Sequence, residues 1–416
     1  MFTKLLTLAV LLIPVVTAAA DDRPLTLEEA VERALGESPQ IVASSAMLDA
    51  AGAKAPAAGR LPDPEFVAAV DNLPINTDDR FSFSRDFMTM RRVGLMQTFP
   101  NGAKRELQRT YAGQEVIVAQ AELRKTRFEA ARSAAEAWID AAVADESLAR
   151  LRELQPDVAL QASAARGALS SARATTTDAL AAQTVAARLD DRILALEQDA
   201  EMRRAELARW VGDAATRHLA AIPTDLEVGH SPQSLVAGVP QHAPLAPLVA
   251  RIAAAQTEVD LARADKRPDW SAELSYQKRG SDFSDMVSLE FRVGLPFFAK
   301  NRQNPIIAEK LATVRAEEAE RDAEIRMHTA EVSATLAEWR HGRTRLDHYS
   351  AELLPLARDR AHAAVASYGA GRADLRSTID ALTDEINTEL EFIALKGSVA
   401  RAWTFLHFLH DSGAAP

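Results

Sequence analysis

The side chains of this sequence that could bind a metal are three methionines and two pairs of histidines. Met88, Met90 and Met96 alternate along one predicted strand, on the side opposite Phe87 and Val93. Thioether sulfur binds soft cations such as Cu(I) and Ag(I), so these methionines are candidate ligands. The matching positions in the second half of the chain carry no soft ligand, which favours packing as their role.

The histidine pairs have spacings that a helix would bring to one side. His407 and His410 are three apart, and His341 and His348 are seven apart. Neither pair has acids or thiols nearby that complete a metal site, so surface or packing roles explain them better. Serine-hydrolase, zinc-protease and phosphate-loop motifs are absent from the sequence. We therefore expect a protein that is not an enzyme and carries no cofactor and no resident metal.

Composition argues against several further classes. Of the 416 residues, 47% are apolar, which is typical of a folded protein. The 48 basic side chains are outnumbered by 59 acidic ones, and a net charge of −11 argues against nucleic acid as a partner. The sequence contains no cysteine, so we expect no disulfide, no thiolate metal site and no lipid-modified cysteine.

Residues 1–20 have the pattern of a secretory signal peptide. Lys4 precedes an apolar run over 5–16, and the alanines at 18–20 fit a cleavage site, so the mature chain is expected to begin near Asp21. No later stretch reaches eighteen apolar residues, so no transmembrane helix is expected. An exported chain of this kind would enter a membrane only as β-strands.

The chain is predicted to contain two copies of one plan. Four landmarks recur at offsets between 199 and 201 residues. The matched residues are Gly94 and Gly294, Trp138 and Trp339, Pro156 and Pro355, and Arg173 and Arg372. We place the first repeat at 21–221, a proline-rich linker at 222–247, the second repeat at 248–410 and a tail at 411–416.

Each repeat is predicted to open with a helix and then to form one β-hairpin, at about 64–99 and at 269–296. Apolar and polar residues alternate along both hairpins. In the second hairpin the apolar set is Trp270, Ala272, Leu274 and Tyr276 in one strand and Val287, Leu289, Phe291 and Val293 in the other. In the first hairpin, the second run is predicted to include the phenylalanines at 81, 83 and 87 and to be interrupted by Arg91.

Long alanine-rich helices are predicted after each hairpin, over 101–212 and 304–409. Proline is absent from 101–154, which as one helix would be about 80 Å long. Alanine at contact positions lets such helices approach closely. Pro156 and Pro355 are expected to kink or break the helices at matching places.

Strands of this length with one apolar and one polar face are typical of a transmembrane β-barrel. Four strands cannot close a barrel, because the smallest known ones have eight. Three copies of the chain would supply twelve strands and a lumen wide enough for solutes. The alternative from the residues alone is a periplasmic sheet whose apolar face is covered by helices.

Nearly the whole mature chain resembles the TolC-type outer-membrane efflux proteins. The resemblance rests on the duplication, on the order of helix, hairpin, long helix, turn and return helix, and on two motifs. The segment SYGAGRADL at 367–375 is similar to the family's turn at the periplasmic tip, and VGLMQTFP at 93–100 to its strand that leads into the long helix. The segments DNLP at 71–74 and DFMTMRR at 86–92 look most like the heavy-metal branch, the outer-membrane components of copper–silver and cobalt–zinc–cadmium efflux.

This resemblance implies a fold that is mainly α with a small β part. A long α-helical barrel would continue a transmembrane β-barrel built from four strands per chain, twelve in a homotrimer. The protein would lie among outer-membrane lipid, extend into the periplasm, and work with a periplasmic adaptor and an inner-membrane proton-driven pump of the resistance–nodulation–division type. Its expected cargo is heavy-metal cations. Export of drugs, other organic compounds or polypeptides, and a periplasmic coiled-coil scaffold, are the alternatives.

The resemblance also implies roles for residues at the periplasmic tip. A gate is expected at Asp178, Ser377 and Asp380, since rings of carboxylates attract cations and close by hydrogen bonding when protonated. Contacts with the adaptor are expected at the two turns, through Arg173, Gly369, Gly371 and Arg372. The alternative for Asp178 is an acid in the first turn of a helix, and for the arginines a solvated turn.

Overall fold

A computed structural model describes residues 23–170, 175–224, 226–229 and 231–411. The predicted signal peptide lies outside the described residues, and so does the first-repeat turn with Arg173. In the part of the chain described, no helix combines the length and the apolar character needed to cross a membrane.

Long helices dominate the described chain, as the sequence predicts. The helices are α1 (Leu27–Glu37), α2 (Pro39–Lys54), α3 (Gly102–Ser170), α4 (Thr176–Val211), α5 (Pro232–Ala237), α6 (Ala246–Ala264), α7 (Gln303–His348), α8 (Leu354–Gly369) and α9 (Leu375–Asp411). The strands are β1 (Glu65–Asp71), β2 (Met90–Phe99), β3 (Trp270–Lys278) and β4 (Met286–Val293). The predicted class, mainly α with a small β part, is confirmed.

The four strands form one antiparallel sheet in the order β1-β2-β3-β4. The central pair, β2 and β3, joins the two hairpins, and its register sets Leu95 opposite Leu274. Side chains therefore continue from strand to strand on the same face. Gly94 stands where the two strands approach most closely, because a Cβ added there would lie 2.8 Å from Cβ of Ser275.

The first hairpin differs from its prediction, because β2 begins only at Met90. Residues 72–89 form a connection in which Asn72, Thr77 and Phe81 have positive φ angles. Backbone hydrogen bonding closes this connection, with the amide of Phe81 donating to the carbonyl of Pro74 at 2.8 Å. A strand requires negative φ at successive residues, so this connection cannot be part of β2. The phenylalanines at 81, 83 and 87 lie in the connection and therefore outside the strand.

The prolines act differently in the two repeats. Helix α3 is 69 residues long and continues through Pro156, so the expected break is not present there. Pro156 is exposed, and the carbonyl that loses its helical donor lies on the exposed residue Arg152, where water can replace it. In the second repeat a π-helical turn, Tyr349–Leu353, precedes Pro355 and separates α7 from α8.

Two tryptophans make the same hydrogen bond in the two halves of the chain. The indole of Trp138 donates to the carbonyl of Leu25 at 3.0 Å, and that of Trp339 donates to the carbonyl of Leu226 at 3.1 Å. Each bond spans 113 residues. Trp138 is 1% exposed at the centre of an apolar cluster. Each tryptophan thus fastens a distant segment of chain to a long helix.

Small residues let the long helices approach closely. Helix α9 contacts both α3 and α7. A Cβ added at Gly397 of α9 would lie 2.5 Å from a methyl of Val143 on α3, and one added at Gly342 of α7 would lie 2.5 Å from a methyl of Val399 on α9. The predicted close packing through small side chains is therefore present, with α9 between α3 and α7.

Candidate functional site

The sheet exposes its apolar face, while the polar side chains of its inner strand β3 are buried on the opposite face. Phe66, Leu289 and Phe291 are between 62% and 71% exposed, whereas Glu273 and Ser275 are 3% and 4% exposed. A sheet in a water-soluble protein usually has the reverse arrangement. An exposed apolar surface of this extent requires a nonaqueous surrounding or a covering partner.

Ion pairs cross the polar face and involve all four strands. Glu273 of β3 accepts hydrogen bonds from Arg92 of β2 at 2.7 Å and from Arg292 of β4 at 3.2 Å. Arg92 also lies 2.9 Å from Asp71 of β1, and Arg292 lies 2.7 Å from Glu290 of β4. Glu65 of β1 lies on the same face, opposite Met96. With it, this face of each chain's sheet carries four acids and two bases, a net charge of −2.

Aromatic rings border the apolar face at the end of the sheet that leads into α3. The rings of Phe99 and Trp270 stack with centroids 4.2 Å apart, and Trp270 lies 6.5 Å from Phe291. Just beyond β4, Phe297 and Phe298 are 79% and 78% exposed. Large aromatic side chains thus mark one limit of the exposed apolar band.

The methionines only partly follow their predicted arrangement. Met90 and Met96 lie on the polar face, since their strand positions alternate with the exposed Val93 and Leu95. Met88 lies in the connection before β2, so its predicted place on the strand is wrong. The sulfur of Met96 accepts a contact from the guanidinium of Arg292 at 3.2 Å.

The turn between α8 and α9 depends on a glycine. The amide of Gly371 donates to the carbonyl of Tyr368 at 2.9 Å, and the amide of Arg372 donates to the carbonyl of Ser367, also at 2.9 Å. This pair of bonds is a Schellman motif with Gly371 as its left-handed residue, at φ +68°. A Cβ at Gly371 would have no atom within 4 Å, so the backbone conformation alone requires the glycine. Gly369 is the last residue of α8.

Acidic side chains cap both return helices. The carboxylate of Asp374 accepts from the amide of Ser377 at 2.7 Å. At the start of α4, Asp178 and Thr175 form a capping box, in which the Thr175 hydroxyl donates to Asp178 at 2.6 Å. The structure therefore gives Asp178 the capping position that was the alternative to a gate. Ser377 likewise belongs to a cap.

Both capping acids have lowered pKa values. Hydrogen bonds from Thr175 lower the pKa of Asp178, and the backbone amide of Ser377 does so for Asp374. The charge of Arg376 lowers the pKa of both groups, while the charge of Asp178 raises that of Asp374. The two helix starts are therefore close enough to interact electrostatically.

For the remaining tip residues, the roles in a gate and in adaptor contact stay predictions. Asp380 is exposed on α9, about one turn beyond Ser377, and Arg372 is exposed in the turn. Arg173 lies outside the described residues.

A buried charge cluster lies between α3, α8 and α9, and sequence reasoning missed it. Arg150 of α3 and Arg358 of α8 donate to Glu389 of α9 at 2.9 Å and 2.7 Å. Glu385 lies one turn earlier on α9, 3.9 Å from Arg150. Both glutamates are at most 6% exposed. Burial raises the pKa of Glu385, while the charges of Arg150 and His362 lower it. The sequence signal that could have indicated this cluster is the spacing of Glu385 and Glu389, four residues apart on a side of the helix that is otherwise apolar.

The histidine pairs found in the sequence are not brought into one site. His341 and His348 are exposed on α7, and His407 stacks on Trp403 with centroids 4.5 Å apart. The side chain of His410 lies outside the described part of the chain. Among the described residues, no group of three or more His, Asp or Glu side chains is arranged to hold a metal ion.

In comparisons with known proteins, this chain is similar to outer-membrane efflux proteins and channels. The family model of outer membrane efflux proteins matches residues 241–410, which are 170 of the 416 residues. No curated protein matches the chain.

Solved structures match over nearly the full length. The outer membrane channel CmeC of Campylobacter jejuni has a TM-score of 0.78 and 13% identity over 93% of this chain and 86% of its own. The outer membrane protein VceC of Vibrio cholerae has a TM-score of 0.77 and 19% identity, covering 93% and 96%. CusC, whose structure concerns transmembrane channel formation, has a TM-score of 0.77 and 14% identity, covering 91% and 90%.

The chain has the fold of these outer-membrane channels. In that fold a small sheet and a long helical part belong to one chain, as they do here.

We expect Glu385→Gln to stabilise the protein at neutral pH. Because burial raises the pKa of Glu385, the folded state keeps this proton to a higher pH than the unfolded chain. Stability is therefore lost as the pH rises from the ordinary carboxyl range through the raised pKa. The uncharged amide of glutamine removes that loss. The thermal unfolding midpoint of the detergent-extracted variant should therefore be a few degrees above that of wild type at pH 7.5. Near pH 4 the two midpoints should be the same.

The control for this test is Glu153→Gln. Glu153 contacts the same Arg150 at 2.6 Å, but its side chain is 69% exposed. We expect almost no change in the midpoint for this variant, because exposed ion pairs contribute little. A lower midpoint for Glu385→Gln than for wild type at pH 7.5 would show that the pairing of Glu385 with Arg150 outweighs the cost of burial.

Proposed function

We propose that the protein is an outer-membrane channel of a tripartite efflux system. The observation that carries this proposal is the sheet that exposes its apolar face and turns ion pairs to the other side. The fold shared with CmeC, VceC and CusC supports it. In the proposed arrangement the apolar face contacts outer-membrane lipid, and the polar face lines the lumen.

The proposed channel is a homotrimer. In the described sheet, β1 and β4 each pair on one side only. Lipid offers no hydrogen bonds to their free edges, so β1 of one chain would pair with β4 of the next. Eight strands from two chains would leave an interior filled by side chains, whereas twelve from three chains leave a lumen. Leucines at 57–64% exposure on the long helices fit contacts with neighbouring chains; they are Leu160, Leu180, Leu194 and Leu356.

The helical part of each chain would extend the lumen through the periplasm. Helix α3 is 69 residues long, and at 1.5 Å per residue it reaches about 100 Å. The sheet lies at the N-terminal end of α3, and the turn after α8 lies at the far end of that helix. We propose that the turns after α3 and α8 dock a periplasmic adaptor, through Arg173, Gly369, Gly371 and Arg372, and thereby an inner-membrane proton-driven pump.

We propose heavy-metal cations as the cargo. The net negative charge of the polar face supports this choice, since rings of carboxylates favour cations. The resemblance of segments 71–74 and 86–92 to the heavy-metal branch also supports it. The alternatives to a metal cargo are export of drugs, other organic compounds or polypeptides, and a scaffold role without a pore.

The membrane orientation of the sheet is tested by a pair of neighbouring substitutions. Leu289→Arg should strongly reduce the amount of protein in outer-membrane fractions, because a cation on the lipid face costs roughly 2–4 kcal/mol near the midplane. Ser288→Arg, one residue earlier on the polar face, should be tolerated. Equal outer-membrane levels of the two variants would contradict the orientation, and a scaffold that never enters the membrane would give that result.

Docking at the tip is tested with Gly371→Val and its control Gly371→Asn. Valine disfavours the left-handed conformation by roughly 1–2 kcal/mol, whereas asparagine tolerates it. In a deletion strain we expect Gly371→Asn to restore resistance to copper, silver, cobalt, zinc or cadmium salts, and Gly371→Val to fail at equal outer-membrane levels. If Gly371→Val also restores metal resistance, the turn is not needed for docking. If the deletion strain loses resistance to dyes and detergents but keeps its resistance to metal salts, the cargo is not a metal.

The gate is proposed at Asp178, Ser377 and Asp380. Because Asp178 and Ser377 are engaged in helix caps, the exposed Asp380 is the member of this set that a substitution tests most directly. Asp380→Ala should raise the resting conductance of the purified channel in planar bilayers, since closure loses its carboxylate ring. Asp178→Ala should instead mainly destabilise the start of α4. Wild-type conductance in the Asp380 variant would remove this residue from the gate.

A further inference from the structure

Two histidines that are distant in the sequence meet inside the protein. Nδ1 of His242 lies 3.1 Å from Nε2 of His328, and the two rings are perpendicular with centroids 5.3 Å apart. The residues are 86 positions apart and only 8% and 5% exposed. This pair belongs neither to the sheet nor to the tip.

The chain fixes both imidazoles independently of one another. His328 lies on α7, and its ring makes an edge contact with Phe405 of α9, at a centroid distance of 6.0 Å. His242 lies between two short 3₁₀ helices, Val239–Gln241 and Ala243–Leu245, whose apolar residues are buried in the same cluster as Phe405. The ring nitrogens are therefore held close by packing of the segments that carry them.

A carboxylate sets the tautomer of His328. Oε2 of Glu331 lies 3.1 Å from Nδ1 of His328, and Oε1 of Glu331 accepts from Arg132 at 3.3 Å. An ionised carboxylate only accepts hydrogen bonds, so Nδ1 of His328 carries the proton and Nε2 presents its lone pair to His242. A carboxylate behind an imidazole in this way is the usual orienting partner of a metal-binding histidine.

The spacing of the two nitrogens suits a shared ion. Two imidazole nitrogens bound to one tetrahedral ion at about 2.0–2.1 Å are about 3.3 Å apart, a few tenths of an ångström more than the distance observed. Imidazole is a preferred ligand for Zn²⁺ and Cu²⁺. Beside the site, Arg132 faces Glu331 and Glu136, so the local charge is one net negative and favours a cation.

We propose that Nδ1 of His242 and Nε2 of His328 bind a divalent transition-metal ion of the class that prefers imidazole, Zn²⁺ or Cu²⁺. The ion takes the place of the proton that the two rings share in the metal-free state. It links the connection between the two halves of the chain to α7. This ion is a resident one that stabilises the fold, so the inference does not depend on the proposed transport function.

Thermal unfolding of the full chain tests this site. Protein made without a histidine tag is extracted in detergent, treated with EDTA and dialysed. We expect Zn²⁺ or Cu²⁺ to raise the unfolding midpoint of wild type, and Mg²⁺ to leave it unchanged. His242→Asn and His328→Gln should lose this response, although their amides keep a hydrogen-bonding group near the lost nitrogen. Glu331→Gln should weaken ion binding about 10–100-fold.

The matched control is the double variant His341→Gln, His348→Gln, whose exposed histidines lie on the same helix as His328. It should respond to Zn²⁺ as wild type does. A second measurement, the visible absorption of Co²⁺ bound to wild type, covers the case in which the buried variants do not fold. An absent midpoint shift, an equal shift in His242→Asn or His328→Gln, or a Co²⁺ spectrum without nitrogen ligation would each overturn the site.

Discussion

A sheet that carries its apolar side chains on the outside is the constraint on which the rest of this structure depends. Such a sheet is unstable in water, since its apolar face stays exposed and its two edge strands keep unpaired backbone groups. In the proposed channel, lipid around the apolar face and copies of the same chain at the edges would remove both problems together. The ion pairs around Glu273 would then line an enclosed polar space instead of being buried against a core.

In the proposed channel the helices meet a different requirement, because they would form a long thin wall without a thick core. Alanine and glycine at contact positions keep that wall thin, as where Gly397 meets Val143 and Gly342 meets Val399. Larger anchors are concentrated near its base, where the hydrogen bonds of Trp138 and Trp339 fasten distant segments to α3 and α7. The stability of the helical part thus depends on a few tryptophan-centred clusters and on many small contacts.

Charge is used in three separate ways along the chain. On the sheet, opposite charges neutralise one another across strands. Between the helices, Glu389 is buried beside Arg150 and Arg358, where removing its arginine partners would leave an unpaired charge. At the tip, Asp178 and Asp374 cap helices, and their lowered pKa values follow from those caps. A similar acidic side chain therefore has a different role in the sheet, between the helices and at the tip.

The sequence by itself determined the features that depend on local pattern. Alternation along Trp270–Lys278 indicated the strand and its two faces, proline-free alanine-rich runs indicated the long helices, and the motif at 367–375 indicated a turn. Tertiary structure decided what depends on contacts between distant residues. It set where β2 begins, let α3 continue through Pro156, and joined Arg92 to Glu273 and His242 to His328. Periodicity reports which face of an element is apolar, whereas these pairings follow from strand register and helix packing, which no local pattern encodes.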